Sequence, residues 1–177
     1  MIGFTMSDLL ELVLAAHGGR GAWERARRIS ARRFSGGPLW NLGGHPGALD
    51  DVRVTVDLDR EHVVQEPFLA AGQRADFTPE RVAIQTSAGE VVAEQLDPRT
   101  SFAGHDLTSG WNPLQLASFS SSALWSFLAE PISLTFPGVQ TEEIDGWTEN
   151  GQSSGVSPSP SRQPGPPGGC CTSARTA

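Results

Sequence analysis

The 177 residues carry 13 basic side chains, all of them Arg, against 20 Asp and Glu, a length that fits one domain burying roughly 68–70% of its unfolded surface. Every acid lies before Gly151, so with 11 Arg against 20 acids the stretch ending at Asn150 has a net charge of −9. That balance argues against duplex nucleic acid or an anionic membrane surface as the main partner, because both reward clustered cations.

Along the chain, Ser7 followed by Asp8 and Glu11 reads as an N-cap with acids in the first turn, and Leu9, Leu10, Val13, Leu14 and Ala16 recur at helical spacing until Gly18 and Gly19. A helix of about ten residues is expected. Gly21 to Ala26 predicts a second short helical turn anchored by Trp23. From Ile29 the period moves towards two, through Ile29, Ala31 and Phe34. The basic run Arg25, Arg27, Arg28, Arg32 and Arg33 then reads as a solvated face. After a Gly- and Pro-rich loop from Gly36 to Gly47, the clearest strand is DVRVTVDL, with Val52, Val54, Val56 and Leu58 alternating with Arg53, Thr55 and Asp57. One buried and one wet face is the mark of an antiparallel sheet.

His62 to Phe68 continues as a strand after a turn at Asp59-Arg60. Arg81 to Thr86 and Glu90 to Gln95 flank Ser87-Ala88-Gly89, a hairpin signal that points to a meander. Pro113 opens a run in which Leu116, Phe119, Ala123, Leu124, Phe127 and Leu128 form a helical stripe ending before Pro131. Ser120 to Ser122 weaken it. Ile132 to Phe136 and Glu142 to Trp147 read as short strands.

The fold class is therefore α+β: an N-terminal helix, a curved antiparallel sheet and one apolar helix packed on it, in a single domain over residues 1–150. Residues 151–177 hold six Ser, five Pro and five Gly, too few apolar side chains to offset the entropy of ordering, so a disordered tail is expected. If the serines of Val156-Ser-Pro-Ser-Pro-Ser161 use TCN codons, a shifted frame encodes an alternation of apolar and small residues, which is a strand pattern. A frameshift near Gly151 is the expectation this raises. The absence of Lys and Tyr points to a GC-rich gene.

Chemistry-bearing patterns are sparse. Gly151-Gln-Ser-Ser-Gly155 matches the serine-hydrolase elbow, but no acid or His follows it. His17, His45, His62 and His105 lack metal-ligand spacing, and the Gly-rich loops match no phosphate or dinucleotide motif, so no metal or cofactor is expected. His105, in the loop Ser101 to Asp106, is the most promising of the four, and paired with Asp106 it is the basis of an enzymatic alternative. Asp51, Asp57 and Asp59 read as a solvated strand face, with an acid–base or cation site as the sharper alternative. Glu142, Glu143 and Asp145 carry the same two readings. The two cysteines, Cys170 and Cys171, reveal no redox compartment. No apolar run reaches the roughly 18–20 residues of a membrane span. The N-terminus lacks the basic region of a secretory signal, which leaves the cytoplasm as the default. The aromatic set Trp40, Phe68, Trp111, Phe119, Trp125 and Phe127 exceeds a minimal core, and with His105 it forms the candidate lining of a pocket for a lipid or other hydrophobic small molecule.

The order of parts, with a short helix ending His17-Gly-Gly19, a Trp soon after and a meander interrupted by an apolar helix, resembles the bacterial lipoprotein-carrier superfamily. The segments RVAIQTSAGEVV, DPRTSFAGH and LQLASFSSSALWSFLAEP look like those of an uncharacterised bacterial group within or near it. The resemblance spans about Ser7 to Asn150, roughly three-fifths of a usual member. It implies an open half-barrel, here incomplete, that holds an apolar acyl chain in its concave face under the helices. Against that resemblance, no secretory signal is expected from the N-terminal composition, and Ser120 to Ser122 stand where an apolar lining belongs. A truncated or frameshifted product without independent activity is the competing expectation.

Overall fold

The structure is a computed structural model that describes residues 6–106 and 108–141, together with the backbone of 147–149, 152–154 and 161–162. It divides into two compact units, residues 26–128 and residues 1–25 with 129–177.

In the second of these, helix α1 spans Met6–Ala16 and helix α2 spans Arg20–Arg25. The start at Met6 places Ser7 inside the helix rather than at its cap, a shift within the usual variation of helix ends. The stop is as expected: Gly18 and Gly19 take positive φ, and the Gly19 amide donates to the Leu14 carbonyl at 2.8 Å.

The larger unit holds the sheet. Strands β1 (Arg28–Arg33), β2 (Val52–Asp57), β3 (His62–Glu66), β4 (Gln73–Thr78), β5 (Arg81–Thr86) and β6 (Val91–Leu96) pair antiparallel in simple sequence order. β1 and β6 do not meet, so the sheet stays open. Helix α3 (Pro38–Leu42) lies between β1 and β2, inside the segment expected to be loop, with Pro38 in its first turn where a missing N–H costs nothing. A 3-10 helix, Pro98–Phe102, and then helix α4, Pro113–Ala129, follow β6.

Register fixes the two faces. Arg33 stands opposite Val52, Val54 opposite Gln65, Gln65 opposite Ala75 and Ala75 opposite Ile84, and directly opposed residues share a face. Leu116 and Ala117 of α4 pack on that face in one core with Val52, Val54, Val56, Val63 and Phe77. The turn of α4 holding Ser118, Ser120 and Ser121 is buried with them. Asp57, His62 and Asp76 belong to the opposite face. Phe34 falls beyond the end of β1 and is 68% exposed, with the Arg32 guanidinium 5.1 Å above its ring. It is not part of the apolar stripe.

After α4, Ile132–Thr135 is a 3-10 helix rather than a strand. β7 (Val139–Gln140) pairs with β10 (Ser161–Arg162), and β8 (Trp147–Glu149) with β9 (Gln152–Ser154). The β8–β9 pairing thus spans the expected boundary at Asn150. The acids Glu142, Glu143 and Asp145, and most of the expected tail, lie outside the described residues.

Candidate functional site

Four of the seven expected pocket residues come together. Gly43 approaches Trp111 closely enough that a Cβ there would meet the indole at 3.1 Å, and the Trp111 amide donates to the Gly43 carbonyl at 2.9 Å. This ties the segment before α4 to the end of α3. Trp40 from α3 then meets Trp111 edge-on at 6.4 Å between centroids and Phe119 of α4 at 6.3 Å, while Trp111 and Phe119 lie 4.8 Å apart. Phe102 joins at 6.0 Å from Trp111, and His105 stacks edge-on against Phe102 at 5.7 Å. Each such contact adds about 0.5–1.5 kcal/mol beyond area burial.

The margin of this cluster is polar. The start of α4 is a capping box: the Gln115 amide donates to Asn112 Oδ1 and the Asn112 amide to Gln115 Oε1, both at 2.9 Å. The same Gln115 side chain donates to the Ser101 carbonyl at 2.7 Å and lies 3.4 Å from His105 Nε2. His45 Nε2 lies 2.8 Å from the Trp111 carbonyl. From the sequence, His45 is weighed only as a metal ligand and Phe102 is not singled out, because neither follows a periodic pattern. Only the loop geometry brings them in.

The other three expected lining residues lie elsewhere. Phe68 is fully buried in the core. Trp125 packs against that core and donates its indole N–H to the Asp57 and Arg60 carbonyls, both at 2.9 Å, which pins α4 to the β2–β3 turn. Phe127 is 81% exposed and has no place in the cluster.

On the opposite face, Asp57 departs from the solvated reading. Its buried carboxylate accepts from Arg28 Nε at 2.7 Å, from Arg60 Nε and Nη2 at 3.0 and 2.9 Å, and from His62 Nδ1 at 2.8 Å. Burial raises its pKa, but the hydrogen bonds from Arg28, His62 and Arg60 outweigh it and hold the carboxyl well below the usual range. The remaining nitrogen of His62 faces Asp76 Oδ1 at 3.4 Å. Both imidazole nitrogens thus face carboxylates, and the cluster ties the β2–β3 turn to β1 and β4.

His105 and Asp106 do not form a dyad. Asp106 Oδ1 accepts from the Thr108 amide at 2.8 Å and from the hydroxyls of Thr108 and Ser109 at 2.7 and 3.0 Å. Those bonds, that of the Thr108 hydroxyl first, lower its pKa and occupy it locally.

A third feature joins sheet and helix. Gln65 Nε2 donates to Ser120 Oγ at 2.9 Å and to Ser121 Oγ at 2.6 Å, and Gln65 Oε1 accepts from Arg33 Nη2 at 2.8 Å. The serines expected to weaken α4 instead let it lie close to the sheet through a buried polar seam. Arg33 belongs to that seam, not to a solvated basic face, and its Nε is buried without a hydrogen-bond partner.

Among the described residues no three His, Cys, Asp or Glu are grouped to hold a metal ion, and no helix is long and apolar enough to cross a membrane. Comparison with protein-family models, curated proteins and solved structures finds no match.

Proposed function

We propose that the chain is a non-enzymatic module that binds a lipid or other hydrophobic small molecule at the cluster of Trp40, Phe102, Trp111 and Phe119. The observation that carries this reading is incomplete cover. Phe119 is 37% exposed although it lies between two tryptophans, while Phe68 and Phe77, on the sheet side, are closed off. Apolar rings left part open beside a few convergent polar groups are how small hydrophobic ligands are held and oriented. Gln115, His45 and His105 supply those groups. The resemblance to the lipoprotein-carrier superfamily supports the same ligand class. It places the ligand in the sheet's concave face, whereas α4 occupies the corresponding face here, so the reading moves to the aromatic margin.

Titration with the neutral dye Nile red tests it. Saturable binding that weakens about tenfold or more in Phe119→Ser supports the reading, and the absence of saturable binding sinks it.

The competing reading, a product without independent activity, draws on β6. That strand ends the sheet with Val91, Val92 and Leu96 exposed, an arrangement that invites edge pairing. A monomer with one cooperative melt and saturable dye binding opposes it. Oligomers without dye binding favour it.

A further inference from the structure

Arg33 occupies an unusual position. Ile29, Ala31 and Arg33 follow one another along the same face of β1, opposite Val56, Val54 and Val52, so a guanidinium stands where the pattern calls for an apolar side chain. Arg28 and Arg32 on the same strand are matched by the carboxylates of Asp57 and Asp51. Arg33 has no carboxylate partner among the described residues. Its one hydrogen bond goes to a neutral amide, and its Nε is enclosed and unpartnered. The residue as a whole is only half-buried. Burial pushes its pKa down, which is the mark of a cation missing an anion.

The place of this cation matters. Gln65 passes from Arg33 directly to Ser120, and Ser120 follows Phe119 in α4. One amide side chain thus separates the unmatched charge from the helix turn that presents the part-open aromatic cluster. Apolar surface next to a single cation fits an amphiphile with a single negative charge. A carboxylate matches the guanidinium fork and balances its single charge, whereas a phosphate dianion fits the same fork but leaves one charge unmatched.

We infer that Arg33 is the head-group anchor of the aromatic site and that the ligand class is a long-chain monocarboxylic acid, its chain over Trp40, Trp111 and Phe119. This rests on the apolar-ligand reading above. Competition against Nile red tests it with three twelve-carbon probes, dodecanoic acid, dodecanol and dodecyl phosphate, on the full chain and on Arg33→Met at neutral pH. Charge-assisted hydrogen bonding predicts that the wild type prefers the acid to the alcohol by about ten- to a hundredfold. R33M should lose that preference, its ratio of acid to alcohol affinity falling to about one. Equal displacement by acid and alcohol in the wild type overturns the anchor and leaves the apolar site standing. So does an acid preference that survives in R33M. Stronger displacement by the phosphate overturns the carboxylate class. Failure of Nile red itself to bind removes the site and the anchor together. Should R33M not fold, the wild-type ratio of acid to alcohol decides.

Discussion

Two ends of helix α4 are finished in opposite ways. Near its C-terminal half, Trp125 donates to two turn carbonyls, and the adjacent Asp57 carboxylate is met by Arg28, Arg60 and His62. The polar groups of that clamp are spent on one another, which leaves the clamp little to offer a ligand. Near the N-terminal half, Trp40, Trp111 and Phe119 touch one another yet leave Phe119 part open, and the seam beneath includes a guanidinium without a counterion among the described residues. A region that spends all its interactions internally is structural. A region that leaves apolar surface and charge unspent together is where binding is to be sought.

Substitutions can break this contrast. The largest effect belongs to the core that both ends share: Phe68→Ala should cost about 3–5 kcal/mol in a urea melt, since the ring is fully buried. Dye binding by the remaining folded fraction should be unchanged. Asp57→Asn should cost roughly 2–3 kcal/mol, because it removes the negative charge and turns one of two accepting oxygens into an NH2 group facing N–H donors on partly exposed partners. It should leave Nile red affinity within about twofold.

The same residue sets a pH dependence. A depressed folded pKa contributes stability that is present above the unfolded value of about 3.9 and is lost as pH falls through the folded value. Urea melts between neutral and strongly acid pH should therefore show wild-type stability dropping below about pH 4, with a shallower drop in D57N. Phe119→Ser should reverse the pattern, with about 1–2 kcal/mol of stability lost and most of the dye binding gone. Phe127→Ser should change stability by no more than about 0.5 kcal/mol and leave binding intact, because the ring is exposed.

Much of the scaffold was legible because the chain alternates plainly. DVRVTVDL reads directly as β2, and the Gly-containing turn at Ser87 to Gly89 announces the β5–β6 hairpin. β4 was not legible, since Gln73–Thr78 shows just Ala75 and Phe77 to the core. α3 was hidden by its Gly and Pro neighbours. Of the site, Trp40, His105, Trp111 and Phe119 could be picked as aromatic or loop residues, but composition could not separate them from Phe68 in the core or Phe127 in solvent. That separation depends on which side of α4 and of the sheet each residue takes. The polar seam had a sequence signal of its own. Extending the apolar register of Ile29 and Ala31 by two lands on Arg33, and extending that of Val63 lands on Gln65. A polar residue at an apolar position, followed by serines in an otherwise apolar helix, marks a buried network.

The contrast between the two ends of α4 is read most directly by the indole N–H resonances of Trp40, Trp111 and Trp125 during titration with dodecanol. The account predicts saturable shifts of the Trp40 and Trp111 signals while Trp125, held on the Asp57 and Arg60 carbonyls, stays in place. Shifts that centre on Trp125, or no saturable shift of Trp40 and Trp111, would contradict it.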